Sequence, residues 1–306
     1  MKKLIPKKLF AAILCFFSFY QYAYGKDAGE TVFEFLKIPT TAAQAALASM
    51  TGFSSESGAH SHAMLDFSQG SSLSASYAVY FQDTSFNALN FILAKEKYVF
   101  NFAYAGFYYG EMERYGEDEN GNYVYNGKFG ANDLALSAGV SRAIFDDVSV
   151  GGGLKYVGQN IDGQTIYGFA VSLSAVYLPD AEWYAVGGIE NLGPPVEGYS
   201  MPANVYAGMY SFYGKLNVLC GAEIKYFIDG SVFIKAAGEF DLGEKFFLRA
   251  GYSFALTTST EELGDWNERD LSLGFGFCNK FFAIDYAWLP FGVLGGVNML
   301  TLTVNF

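Results

Sequence analysis

His60 and His62 are the only histidines in this chain, and a His-x-His pair is its clearest capacity for chemistry. Two imidazoles at that spacing can share a metal ion, but a stable site needs further His, Cys or carboxylate ligands, and none stands at a suitable spacing. The pair therefore reads as part of a solvated loop. With no histidine in any strand pattern or later loop, a Ser-His nucleophilic mechanism is excluded. The acids Glu261, Glu262 and Asp265 read as a solvated loop. Gly151-Gly152-Gly153 is followed by no helix, so it does not cradle a phosphate; its lack of side chains suits close packing or bending of a sheet instead. Cys220 and Cys278 fall in separate strand patterns on opposite faces and read as two thiols. No catalytic group, cofactor or metal is expected.

The elements that must position such residues are strands. The chain is 51% hydrophobic and 18% aromatic, with 35 glycines and only 7 prolines. Past the N-terminus no stretch approaches the roughly 18 apolar residues of a transmembrane helix. The apolar residues come in alternating blocks of about ten, separated by turn residues, which is the signature of a transmembrane β-barrel. The last block, Gly296–Phe306, puts Leu300, Leu302, Val304 and Phe306 on one face and Met299, Thr301, Thr303 and Asn305 on the other. Its length suits a strand tilted across a bilayer, about 9–11 residues. Ending on Phe306, it also resembles the signal that bacterial outer-membrane barrels present to their insertion machinery.

Counting such blocks gives an all-β fold, an antiparallel barrel of about fourteen strands over residues 71–306. The third and fourth are expected at Tyr98–Tyr109 and Asn132–Ile144. Every second connection is tight, as at Lys95-Glu96-Lys97, Gly214-Lys215 and Asn279. Longer ones fall between, at Gly110–Ala131, Asn160–Gln164, Leu192–Pro202, Thr257–Arg269 and Pro290–Gly295. Short periplasmic turns alternating with long external loops are a property of outer-membrane barrels. Charge near the middle of a lipid face costs about 2–4 kcal/mol for Arg or Lys, so charged strand residues should face inward. That rule gives the lumen Lys155, Glu223, Lys225, Lys235, Glu239, Arg249 and Asp285, and the alternation adds Asn101. Phe282, Ile284, Tyr286 and Trp288 should face lipid. Glu223 and Lys235 flank the tight Asp229-Gly230 turn and are expected to pair across it. Tyrosines near strand ends should form interfacial girdles.

Residues 1–25 read as a secretory signal peptide. Lys2, Lys3, Lys7 and Lys8 precede a short apolar core, and Ala23-Tyr24-Gly25 places cleavage before Lys26. Cleavage removes four of the 19 basic residues and none of the 31 acidic ones, so the mature chain is more acidic than the whole chain at −12. That argues against nucleic acid as a partner. Residues 26–70 precede the first strand. Their alanine-rich run after Pro39 has high helix propensity with Thr40 or Thr41 as cap. Small and hardly charged, the segment suits packing inside a lumen; the alternative is a loose periplasmic tail.

Two stretches carry a resemblance. Asp285-Tyr286-Ala287, then Pro290-Phe291-Gly292 and Leu294-Gly295, before a strand ending in Phe306, resemble the C-terminal hairpin of the PorV/PorQ family. Phe35-Leu36-Lys37-Ile38 and the small-residue helix after it resemble that family's start, and Asn191-Leu192-Gly193-Pro194 is a weaker third match. The resemblance covers both ends of the mature chain. Related barrels make up the FadL-like long-chain fatty acid transporter superfamily, whose fourteen strands enclose an N-terminal hatch. It implies an outer-membrane barrel with a hatch near residues 31–69 and no enzyme activity. It implies passage of hydrophobic solutes, or else a type IX secretion-associated role docking exported cargo; a purely structural protein is the remaining alternative. One departure is the absence of the family's Asn-Pro-Ala motif after the helix, where this chain has Ser61-His62-Ala63-Met64. That leaves the associated gating in doubt.

Overall fold

Alternation of apolar and small or polar residues is realised strand by strand in a computed structural model that describes residues 31–54, 60–68, 70–243, 245–257, 271–291 and 295–306. The strands are β1 (Ser72–Val79), β2 (Ser85–Lys95), β3 (Tyr98–Glu117), β4 (Tyr123–Phe145) and β5 (Val148–Ile161). Next come β6 (Gln164–Tyr177), β7 (Trp183–Leu192), β8 (Asn204–Tyr213), β9 (Val218–Phe227) and β10 (Val232–Asp241). The last four are β11 (Phe246–Thr257), β12 (Leu271–Cys278), β13 (Phe282–Pro290) and β14 (Gly296–Asn305). Each pairs antiparallel with its sequence neighbours, and β1 pairs with β14 from Ser72↔Asn305 to Val79↔Asn298, closing a fourteen-stranded barrel. Closure leaves no edge strand and satisfies the backbone within the sheet.

The two faces differ sharply. Along β1, Leu73, Tyr77 and Val79 are exposed while Ser72, Ser74, Ser76 and Ala78 are buried. On β14, Leu300, Leu302 and Val304 are exposed, and Val297, Met299, Thr301 and Thr303 are buried. Ile284, Tyr286 and Trp288 of β13 point outward, whereas Asp285 and Ala287 are buried. The outward side chains are thus mostly apolar, and the inner wall mixes small, polar and charged residues with buried apolar ones such as Phe86, Val157 and Met299.

One expected loop is a strand pair. Residues 110–131 continue β3 and β4 as a hairpin, with Glu111 facing Gly130 and Glu117 facing Tyr123, and close through an Asp118–Asn122 turn. The register shifts after Tyr108 and again after Glu113, and Gly110 and Gly127 take the positive φ that such bulges demand. Both faces of this extension are largely exposed. It therefore lacks the apolar alternation that marks the other strands, which is why it reads as loop. The signal-peptide residues 1–25, most of the Thr257–Arg269 loop with its acids, and Gly292 and Leu294 lie outside the described residues.

The N-terminal segment fills the space inside the wall. It has a 3-10 turn (Glu34–Lys37), a one-turn helix α1 (Ala42–Ala46) and a second 3-10 stretch (His62–Phe67). Thr41 is the cap of α1: its side chain accepts a hydrogen bond from Gln44 N at 3.2 Å, a contact worth about 1 kcal/mol. The helix packs on β11 to β14, and His62–Phe67 packs on β3 to β6. Thr31 makes a parallel bridge with Ser200, in the connection between β7 and β8.

Candidate functional site

The segment that fills the lumen is held by side chains projecting from the inner wall. Ala42 N donates to Thr301 Oγ1 at 2.8 Å, Ala48 N to Ser272 Oγ at 3.0 Å, and Ala63 N to Ser174 Oγ at 2.8 Å. Wall positions with no side chain let it come close. A Cβ on Gly139 or Gly153 would collide with the His62 ring, one on Gly151 with the backbone at His62 and Ala63, and one on Gly251 or Gly274 with Ala48 or Ala46. Gly151 and Gly153 of β5 are a seat for the N-terminal segment, whereas Gly152 between them faces Leu173 on the other side of the wall.

The tightest grip falls on Ser49–Gly52. Glu223 Oε2 accepts from Thr51 N at 2.9 Å, from Thr51 Oγ1 at 2.6 Å and from Tyr210 OH at 2.9 Å. Gly52 N donates to Tyr210 OH at 3.0 Å, and Tyr184 OH donates to Gly52 O at 2.8 Å. Lys235 Nζ donates to Ser49 O at 3.3 Å. Lys235 does lie directly opposite Glu223 in the ladder, but the expected ion pair between them is not formed. Each reaches inward to the N-terminal segment, because buried backbone donors and acceptors there need partners.

Charges continue from this grip as a chain. Lys225 Nζ lies 3.9 Å from Glu223 Oε1 and 3.2 Å from Glu190 Oε2, and Glu190 Oε1 is 3.5 Å from His60 Nδ1. Lys155 donates to Asn191 Oδ1 at 2.7 Å. Glu223, Glu190, Lys225, Lys155 and Lys235 are all buried. A second group crosses β12, where Arg249 pairs with Glu239 at 2.6 Å and with Asp285. Gly276, lying between Arg249 and Asp285, leaves room for their contact. Asn101 is fully buried and donates to Asn90.

His60 and His62 are not in a solvated loop: 7% and 2% of their surfaces are exposed. The chain around them runs through the lumen, and the glycine seat accepts the ring. Burial holds both imidazoles below their ordinary pKa, Glu190 working against this for His60, and His62 falls to about 4 with Lys155 adding to the effect. Among the described residues, no group of three or more His, Cys, Asp or Glu could hold a metal ion.

Sequence reasoning passed over several members of this cluster. Glu190 shares the inward parity of Val186 and Gly188, and the rule that sends strand charges inward reaches it, but it sits at a strand end where charge is tolerated. Tyr206 and Tyr210 carry no charge, so the rule that sends charges inward does not reach them. Both are buried, and their parity opposes the exposed Met209.

The residues that carried the family resemblance are spread over the molecule. Phe35 and Leu36 are buried. Lys37 Nζ lies 2.9 Å from Asp229 Oδ2 and 2.8 Å from Glu34 Oε2. Burial disfavours its charge, but these carboxylates outweigh that and raise its pKa. Ile38 packs against the core beside Phe35. At the C-terminal end, Tyr286 OH donates to Asn298 Oδ1 at 2.6 Å, Pro290 closes β13 and Gly295 has φ 95°. Phe291 joins Tyr80 and Phe81 in an aromatic cluster, and Phe306 stacks on Phe91 from the outside.

Two spaces meet at one stretch of wall. A cavity of about 20 Å³ lies inside, lined by Phe35, Leu36, Ile38, Thr40, His60 and Lys155. Outside, a groove of about 790 Å³ is lined by apolar side chains including Leu89, Phe102, Leu154, Phe169 and Leu192. Both touch Ala103, Tyr104, Ser137 and Lys155.

No protein-family model matches the sequence, and no curated protein does. Solved structures do match. The CymD monoaromatic hydrocarbon channel aligns with a TM-score of 0.64 at 11% identity, over 88% of this chain and 98% of its own. The Pseudomonas putida toluene transporter TodX gives 0.62 at 12% identity, over 92% and 98%. A Pseudomonas aeruginosa FadL homologue gives 0.59 at 12%, over 88% and 99%. At such identities the likeness is one of architecture: this chain is a fourteen-stranded barrel with the fold of the FadL-type channels.

Proposed function

We propose that the chain is an outer-membrane barrel that passes hydrophobic solutes, with residues 31–68 as the hatch that moves to let them through. The observation that carries this reading is a lumen filled by a separate N-terminal segment, held to the wall by side-chain hydrogen bonds and apolar packing with no covalent cross-link among the described residues, beside an apolar cavity that backs onto an apolar outer groove. A cavity of about 20 Å³ is on the scale of one water, whereas an engineered cavity of about 150 Å³ is what admits a benzene ring. Passage therefore requires the hatch to shift. A barrel whose outward side chains are apolar over a full turn of the wall belongs in lipid. Export through the N-terminal signal and insertion through the strand ending at Phe306 complete this reading, and the barrel is not an enzyme. The FadL-type fold supports it, since two of the matching structures are named as hydrocarbon or toluene carriers.

A second reading is favoured by the β3–β4 hairpin. Beyond Tyr108 it projects Tyr115, Tyr123 and Tyr125 into solvent beside Glu111, Glu113 and Glu117, a surface suited to docking secreted cargo, as the PorV/PorQ resemblance implies. A deletion strain separates the two. Lost uptake of labelled hydrophobic solutes with intact surface display of secreted proteins is the expected result. Lost display with intact uptake overturns the transport reading.

A further inference from the structure

The two histidines have no part in solute passage so far, yet both are buried where the hatch meets Lys155, Glu190 and Lys225 of the wall. From this geometry we propose that the hatch is a proton-released latch, seated while His60 and His62 are neutral and expelled when they take up protons. The inference rests on the reading of residues 31–68 as a movable plug.

The His62 ring lies against the paired Gly139 and Gly153, whose missing side chains make its seat. The charged groups that act on His62 are Lys155 from β5, Glu190 from β7 with opposite sign, and the neighbouring His60, Lys155 being the strongest, while the neutral Ser141 and Ser174 hold the adjoining Ala63. Lys155 is buried, and its hydrogen bond goes to the neutral Asn191 amide. A proton on His62 thus creates a second buried cation beside the first. Asp66, on the same stretch, is engaged by Ser149.

His60 faces a mixed set: Glu190 from β7, Lys225 from β9 and Lys155 from β5. Glu190 is already engaged by Lys225 at 3.2 Å, so it has only partial attraction left for a protonated His60. Counting both rows, the wall offers Lys155, Lys225 and Lys235 against Glu190 and Glu223. The cluster has no spare carboxylate for two imidazolium ions. Unseated and hydrated, both rings return to ordinary basicity.

The direction follows by linkage. A histidine whose pKa is lowered on seating leaves the seated state fully favoured above the free value of 6.5 and weakens it as pH falls from there toward about 4. With those two values His62 alone shifts the seated-to-released ratio about 30-fold by pH 5. His60 adds to this in the same direction.

The test is single-channel conductance of the purified full-length barrel in planar bilayers between pH 7.5 and 5, beside a variant lacking residues 31–68. Expected are openings of the wild type that grow as pH falls, a barrel without the segment that conducts at every pH, and loss of the acid response in the H60Q/H62Q double variant. K155M, which removes the cation beside His62, moves the opening to lower pH, and it serves if the double variant fails to fold. A wild type that stays shut at pH 5 while the truncated barrel conducts overturns the latch and leaves the plug reading standing. Acid openings that persist unchanged in H60Q/H62Q, or in K155M, also overturn it. A truncated barrel that folds and stays shut removes the plug reading and the latch together.

Discussion

At the scale of single residues, Glu223 decides how the lumen is organised. It is buried and meets three hydrogen-bond donors on one oxygen while Lys225 approaches the other. Truncating Glu223 leaves three buried donors unpaired and Lys225 with Glu190 as its one carboxylate partner, at a cost of about 3–5 kcal/mol. E223A should therefore lower the temperature at which the folded barrel loses its fast mobility on SDS gels, while E239A, whose carboxylate is part-exposed at the lumen's second charge group, should lower it less. Exchanging charges in E223K/K235E should not restore stability, because Lys235 bonds Ser49 O and not Glu223. Recovery to wild-type melting in the exchange variant would contradict this assignment.

Among elements, what the sequence shows plainly is the wall. Alternation places Asn101, Lys155, Glu223 and Asp285 on the buried face of their strands without help from the rest of the chain, because a β-strand repeats every two residues and a charge in lipid is costly. Less legible is anything that depends on two elements meeting. Gly151 and Gly153 have no meaning until His62 and Ala63 are brought against them. The β3–β4 extension has no buried apolar face, so its pairing rests on the ladder and on cross-strand contacts such as Tyr115 with Tyr125 and Lys128 with Glu111. Two predictions follow at this level. G153V should unseat His62 and increase hydrogen exchange at the amides of residues 60–68, with the barrel strands still protected; unchanged exchange there would show that the seat is not needed. Removing residues 112–128 and joining the ends should leave the melting behaviour of the barrel nearly unaltered, since the ladder from Val99↔Ser141 to Tyr108↔Asn132 closes the wall by itself. A large fall in melting temperature would make the hairpin part of the wall's stability.

For the molecule as a whole, one sheet separates two environments, and the side chains of a single strand report both. Outside, Phe282, Ile284, Tyr286 and Trp288 of β13 offer apolar surface; inside, Asp285 meets Arg249 and the strand packs against α1. Because β1 is hydrogen-bonded to β14, no strand can slip by one residue without turning every neighbour's face with it, so the inside–outside division is fixed around the ring. In lipid the division becomes measurable. With Cys220 and Cys278 replaced by serine, nitroxide labels placed one at a time at positions 282–288 should relax with oxygen dissolved in the bilayer at 282, 284, 286 and 288, and stay shielded at 283, 285 and 287. The shielded positions should remain inaccessible to a water-soluble nickel chelate while the N-terminal segment is seated, since α1 packs over this strand. Accessibility that changes every three to four residues, or labels at 284 and 286 that respond to the chelate instead of oxygen, would mean that this surface does not face lipid, and the transport reading would fall with it.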